Sequence, residues 1–487
     1  MGIFLAAAFL FPVVAGILIL ALVKETGKRN RLFGTAVVLT DLLCLLAMRT
    51  EEAFAPVRLY SDAAMRFRMD DLGRLTLCIV MLMYTCVFFY AFRYMEHDKR
   101  SGQFYLWCLI SFGALIAVCM SDNMVTLYFC FEMLTLTTFP MVLHERTKDA
   151  VAAGMKYLYY SMAGALMGLM CVFFLYHFAG GSTEFAYGGF LTREMIAGHE
   201  KLFYGMMLAG VIGFGTKAGL FPMHSWLPTA HPIAPAPASA LLSSIVTKAG
   251  VIAVIRLVYY SAGPDLIRGT WMQYAWIILA MITIFMGSMM AFKEKVLKKR
   301  LAFSSVSQIS YVLLSLSFLS EEGLRGGLLH FMSHAASKGC LFLAAGAVIH
   351  LLGYTKVTQL KGVGRKLPVV FVCFTLASLS LVGIPPMGGF LSKWTIAGAT
   401  FESGMLPFSI LAPVVLLVSA LLTAGYLFTI VTDAFYPGLA EEQEHAQLDA
   451  ADTVCEPKLM TVPMICLCAA ALIAGIWGNA ILSFFGF

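Results

Sequence analysis

Charge is what this sequence has least of. Only 13% of its 487 residues are Asp, Glu, Lys or Arg, about half the share a soluble domain carries, so a water-covered globular surface is excluded. The longest polar stretch, 441–458, has too few apolar residues to bury a core, which excludes an appended soluble domain. Twelve cysteines are present, yet none form a CxxC pair, and the closest two, Cys466 and Cys468, sit inside an apolar run. Such scatter fits neither a disulfide framework nor a zinc or iron–sulfur site, and no motif for an organic cofactor is visible. The chain is therefore expected to hold no metal and no cofactor of its own. A cleaved signal peptide is not expected either, because the first apolar run, 4–23, has no basic segment ahead of it.

Hydrophobicity is what the sequence has instead, with 60% apolar residues and a mean hydropathy of +0.82. Runs long enough to cross a bilayer fall at 4–23, 32–48, 73–92, 104–121, 123–143, 157–179, 201–222, 236–259, 271–291, 301–319, 324–352, 368–395, 408–436 and 459–485. The expected fold class is thus an all-α polytopic membrane bundle of about fourteen helices. The connections form two alternating sets. The set made of 24–31, 93–100, 146–156, 293–300 and 356–366 carries about twice the Lys and Arg of the other, so the positive-inside rule puts it in the cytoplasm and both termini outside. The formal charge of +6 is then a topology signal rather than a nucleic-acid footprint. The acidic 441–458 loop and the basic 293–300 loop face the cytoplasm in this reading, where they could meet partners or simply be solvated.

The stretch 205–256 departs from this apolar background. It places Lys217 and Lys248 inside segments apolar enough to lie in lipid, where a charge costs several kcal/mol and marks function by default. Gly213, Gly215, Gly219 and Pro222 loosen the backbone around Lys217, predicting a seventh helix that breaks and resumes through SWLP. The twelfth span does the same, with Pro385, Pro386, Gly388 and Gly389 preceding Lys393. Five helices separate the breaks, and an odd-numbered unit inverts its orientation, so two inverted five-helix repeats are expected. The chain divides into helices 1–3 (1–103), a first repeat of helices 4–8 (104–259), a second of helices 9–13 (271–436), and the acidic loop with helix 14 (437–487).

Glu132 lies about ten residues, roughly 15 Å, into the fifth span. A carboxylate there needs a cationic partner, and Lys217 is the expected one, as a working pair or as a structural fastening. The lysines could instead snorkel, which suits Lys248 least because it is deepest in its span. His330, His334 and Lys338 recur at i, i+4 and i+8 of the eleventh span and so form one stripe. Three titratable groups in line suit a proton relay. The tenth span opens LAFSSVSQIS, whose hydroxyls and Gln308 could hold water or serve helix packing. Asp41 stands isolated in the second span.

The run KAGLFPMHSWLPTAHPIAPAPASALLSSIVTKAG, with FEMLTLTTFP before it and LAFSSVSQISY, HAASKGCLFLAAG and SLVGIPPMGGFLSKW after it, resembles the antiporter-like subunits. That family is shared by respiratory complex I, the Mrp multisubunit cation/proton antiporters and membrane-bound energy-converting hydrogenases. The likeness covers about residues 65–435. It implies two inverted repeats with a proton half-channel in each, Glu132 paired with Lys217, Lys248 as the connecting lysine, His330, His334 and Lys338 as the central relay, and Lys393 facing the exit. It also implies membrane subunits as partners, H⁺ and in some relatives Na⁺ as cargo, a prokaryotic cell membrane as location, and any redox chemistry in the partners. Lysine at 248 and a chain that runs only shortly past its last span are most similar to the Mrp D subunit, although some relatives on that branch carry Glu where Lys393 stands. A membrane-arm subunit of a complex I-like dehydrogenase or hydrogenase is the alternative, and a stand-alone solute transporter a more remote one. In this scheme opposite charges about 4 Å apart, coupled by roughly 4 kcal/mol at an effective dielectric of 20, load and unload one another in turn.

Overall fold

The computed structural model describes residues 2–60, 63–180, 183–436 and 454–487. The first helices are α1 (Ile3–Leu22), α2 (Thr26–Ala47), α3 (Asp71–Tyr94), α4 (Ser101–Cys119), α5 (Met124–Val142) and α6 (Lys148–Ala179). After α7 (Glu200–Ala218) and the short α8 (Leu227–Ile233) comes one rod built of α9 (Ala236–Leu241), a π-helical turn (Leu242–Val246), α10 (Thr247–Ile255) and a second π-helical segment (Arg256–Ala262). The second half holds α11 (Pro264–Ile267), α12 (Trp271–Lys293), α13 (Leu297–Ser317), α14 (Glu321–Leu352), α15 (Val363–Lys366), α16 (Pro368–Val382), α17 (Gly388–Glu402) and α18 (Phe408–Phe435), followed by α19 (Lys458–Ile476) and α20 (Gly478–Phe484).

Among the described residues, eleven helices, the α9–α10 rod counted as one, are long and apolar enough to cross a bilayer. The remaining expected runs fall on α7, on α13 and on the α16–α17 pair. Side chains set several starts by accepting a hydrogen bond from an orphan N–H three residues on: Asp70 from Gly73, Asn123 from Thr126, Thr147 from Ala150 and Ser320 from Gly323. The Thr147 cap starts α6 at Lys148 rather than at 157, which takes Lys156 out of the connection and into the helix. Of the acidic stretch, 441–453 lies outside the described residues. Glu456 at its end caps α16, accepting from the Val370 and Val369 amides at 2.9 and 3.2 Å.

One element is not helical. Strands β1 (Phe54–Tyr60) and β2 (Ala63–Phe67) form an antiparallel hairpin with Phe54 opposite Phe67 and Val57 opposite Met65. Between spans the backbone is free to pair with a neighbouring strand instead of with itself, and here it also bonds to the α4–α5 connection through Arg68 N–H to Met120 O at 2.8 Å.

Both expected breaks are present. Gly219 ends α7 in the left-handed region (φ 81°) and Gly383 ends α16 in the same way (φ 94°), and in each case the chain resumes as a second short helix. Close packing accompanies the first break: a methyl added at Gly164 of α6 would lie 2.6 Å from the Gly213 carbonyl of α7, and one at Gly213 would lie 2.5 Å from the Gly164 carbonyl. The rod is buried along its whole length, and nearly all of α13 is buried as well. Leu18, Leu42, Leu166 and Leu421 expose the perimeter helices α1, α2, α6 and α18.

Candidate functional site

Lys217 is held in the last turn of α7, where a cation complements the helix dipole. Its Nζ donates to Thr135 Oγ1 at 2.5 Å and to Phe131 O at 3.3 Å, and lies 4.2 Å from the centroid of the Phe131 ring. The expected Glu132–Lys217 ion pair is not formed. Among the ion pairs of the described residues none joins the two, and Glu132 Oε1 is buried without a hydrogen-bond partner. Helical geometry gives the reason: Phe131 and Thr135 are one turn apart and face α7, whereas Glu132 is rotated about 100° from Phe131, toward the exposed Phe129, Met133 and Leu136.

Lys248 occupies the middle of the buried rod. Immediately before it the π-helical turn rearranges the backbone bonding, and Ser243 O accepts from both Thr247 Oγ1 at 2.9 Å and Lys248 Nζ at 2.7 Å. The same Nζ is 2.6 Å from Nδ1 of His334 on α14. One turn along α14 the His330 ring lies 6.0 Å from that of His334, and its Nδ1 is 2.9 Å from Ser392 Oγ on α17. Nε2 of both histidines has no protein partner. Lys338 completes the stripe by position but turns away from it, donating to Leu301 O on α13 at 3.0 Å.

Lys393, half-buried on α17, reaches back across the second break. Its Nζ donates to Leu381 O at 2.6 Å and Val382 O at 2.9 Å, the orphan carbonyls at the end of α16, and lies 5.2 Å from the Tyr311 ring centroid. Tyr311 also packs its ring 5.2 Å from that of His330 and donates its hydroxyl to Ser419 Oγ at 2.7 Å. The structure thus joins Lys248 to His334 directly and gathers His330, Ser392, Tyr311 and Lys393. It does not hydrogen-bond Lys217 to Lys248, or Lys338 to His334.

Arg256, Lys298 and His231 are among the buried basic groups that the sequence did not single out. Arg256, two turns beyond Lys248, makes two hydrogen bonds to Asp70, the one from Nη2 to Oδ1 being 2.6 Å, and lies between the rings of Phe185 and Tyr260 at 4.9 and 4.7 Å. Burial alone would raise the Asp70 carboxyl, but Arg256 outweighs it and holds it below the usual carboxylate range. Outside this pair opens a cavity of 880 Å³ lined by Arg68, Arg74, Glu321 and Arg325 among others. Lys298 donates to Pro232 O at 3.2 Å and to Ala234 O where α8 meets the rod. His231 is fully buried against Phe342 at 4.9 Å, with neither ring nitrogen hydrogen-bonded. The signal available for Arg256 was the one used for Lys248, a cation inside an apolar run. Asp41, isolated in the sequence, accepts from Thr85 Oγ1 at 2.6 Å. No three His, Cys, Asp or Glu side chains converge as metal ligands among the described residues.

Comparison with known proteins finds relatives in sequence and in fold. A profile described as NADH:quinone oxidoreductase/Mrp antiporter, TM, matches residues 121–423, and one described as NADH-Ubiquinone oxidoreductase (complex I), chain 5 N-terminus, matches 60–105. The NADH-quinone oxidoreductase subunit N of Desulforudis audaxviator (strain MP104C) is 32% identical over 393 residues, 79% of this chain and 76% of that one. Two solved structures share the fold. One is the membrane-bound sulfane sulfur reductase, an archaeal respiratory membrane complex (TM-score 0.84, 19% identity, 99% of this chain and 96% of that one). The other is the Mrp complex from Dietzia sp. DQ12-45-1b (TM-score 0.81, 21% identity, 100% and 97%).

Proposed function

We infer the work of this chain from one premise: it belongs to the NADH:quinone oxidoreductase/Mrp antiporter family of multi-pass membrane proteins. It is a proton-translocating subunit of a larger membrane complex. The observation that carries this reading is the 2.6 Å contact of Lys248 Nζ with His334 Nδ1, two buried nitrogens with no carboxylate between them. Only one of the two can carry the bridging hydrogen, so the pair exchanges a proton by changing which nitrogen holds it. From His334 the proton passes to His330 and then to the Lys393 end, while Lys217 works at the other break. Glu132, beside Lys217 rather than paired with it, shifts the balance there by its charge. Positions 104–259 and 271–436 act as inverted repeats, a division supported by the matching left-handed glycines at Gly219 and Gly383. The cell membrane is the location, with the basic connections in the cytoplasm and both termini outside.

Within the family, a Na⁺/H⁺ antiporter D subunit of the Mrp type is the parent we favour, on the lysine at 248. The likeness to an NADH-quinone oxidoreductase subunit N favours a second reading, the membrane arm of a redox-driven pump. A mild-detergent pull-down separates them, because iron–sulfur, flavin or nickel–iron proteins accompany only the redox-driven pump. Transport is then measured as proton uptake by dye quenching in inverted vesicles, driven by the redox substrate or, where no redox subunits co-purify, by the outward Na⁺ gradient of NaCl-loaded vesicles diluted into Na⁺-free buffer. Lys248→Ala is expected to lower proton uptake by more than tenfold with the complex assembled. Undiminished uptake by that variant would overturn the reading.

A further inference from the structure

The two lysines at the breaks are held alike, and differently from the two in the centre. At the first break, Lys217 Nζ has two oxygen acceptors, Thr135 Oγ1 and Phe131 O, and one aromatic face, that of Phe131. At the second, Lys393 Nζ has two oxygen acceptors, Leu381 O and Val382 O, and one aromatic face, that of Tyr311. The placement corresponds as well. Lys217 stands two residues before Gly219, and the carbonyl that Lys393 reaches belongs to Leu381, two residues before Gly383. Lys248 and Lys338 have carbonyl or imidazole partners and no ring beneath them among the described residues.

An ammonium group has three N–H donors and no acceptor. Two oxygens and the negative face of a ring match that number, and a ring centroid within about 6 Å attracts the cation, most strongly where water is excluded. Each seat therefore accommodates a charged lysine with no carboxylate in contact, which is the situation Lys217 is in. Both rings are themselves fixed. Phe131 packs edge-on against Phe214, with centroids 5.4 Å apart, and the Tyr311 hydroxyl is anchored on Ser419, which also meets Ser288 at 2.5 Å and Ser307 at 3.1 Å.

We propose that Phe131 and Tyr311 are positioning residues for proton transfer, aromatic seats that hold the ammonium groups of Lys217 and Lys393 in place between transfer steps. The inference rests on the proton-translocating reading above and adds two residues that carry no proton at nitrogen or carboxylate. It also assigns the hydroxyl cluster of Ser288, Ser307 and Ser419 a purpose, which is to orient the Tyr311 ring.

The test is stepwise fluorination of the Phe131 ring in the assembled complex, which drains negative charge from the face at nearly constant size. Proton uptake in inverted vesicles is expected to fall with each added fluorine, by about five- to thirtyfold in total, or about 1–2 kcal/mol. At the other break Tyr311→Leu is expected to lose transport and Tyr311→Phe, which keeps the ring but gives up its anchor on Ser419, to restore part of it. Uptake that is indifferent to fluorination, in vesicles where Lys248→Ala abolishes it, overturns the seats and leaves the reading of the path standing. Uptake unaffected by Lys248→Ala overturns the path itself. A purely structural ring would not register fluorination, so assembly and transport are scored separately.

Discussion

At the scale of single residues, Arg256 and Lys248 show two ways of burying a positive charge on one rod. Arg256 has a full counter-ion, because Asp70 meets its guanidinium with two oxygens. Removing one partner from such a pair leaves an uncompensated buried charge, at a cost of about 3–5 kcal/mol, whereas replacing both by apolar groups is often neutral. Asp70→Ala is therefore expected to lower thermal stability in detergent, and Asp70→Leu combined with Arg256→Met to recover most of it. A double variant as unstable as the single one would show that the pair does more than neutralise itself. The pH dependence has a definite sign. Asp70 is held below its ordinary value, so its contribution is complete above about pH 3.9 and is lost as pH falls through the lower folded value. Lys248 has no carboxylate in contact, and its partner is a histidine that can take its proton. In the function proposed above, this contrast separates a structural charge from a working one.

At the scale of elements, the breaks position everything else. α7 can approach α6 closely only because Gly164 and Gly213 have no side chains where their backbones meet. Gly164→Ala puts a methyl against the Gly213 carbonyl and against Thr216, the residue next to Lys217, so an overpacking loss of about 1–3 kcal/mol is expected together with slower proton uptake. Unchanged melting and uptake would show that the two helices separate without consequence. The breaks were legible in the sequence because glycine and proline weaken a helix wherever it lies, and an intramembrane lysine beside them marks a place where protein must satisfy the freed backbone. The spans were legible because about twenty apolar residues fix a length. The hairpin was not, since the connection between the second and third spans reads as a polar loop. Nor was the facing of Glu132: its depth follows from counting residues, but whether it or Phe131 meets α7 depends on helix rotation. The spacing of His330, His334 and Lys338 placed all three on one stripe, yet could not say that Lys338 would be drawn to a carbonyl on α13. Arg256 carries the same signal as Lys248, a cation inside an apolar run, but its counter-ion lies 186 residues away and only the fold pairs them.

At the scale of the whole molecule, the candidate path is a set of islands, held by hydrogen bonds and ring contacts, rather than a continuous wire. One island surrounds Lys217, one joins Lys248 to His334, and one gathers His330, Ser392, Tyr311 and Lys393. They are carried on α5 and α7, on the central rod with α14, and on α13, α14, α16 and α17, so α14 joins the last two, and transfer from the first depends on how the bundle holds α7 against the rod. Two arrangements can be told apart by how losses combine. If the islands work in series, Lys217→Ala and Lys393→Ala each stop the same flow, and the double variant is no slower than either single one. If each break serves a complete path of its own, each single variant retains the flow of the other, and the losses accumulate in the double variant. The central position of Lys248 and His334, between the breaks and buried from every side, favours the series arrangement. Initial rates of proton uptake at matched amounts of assembled complex are thus expected to fall to one common floor for both single variants and their combination. Losses that accumulate in the double variant would mean that the central pair links two independent paths instead of closing a single one.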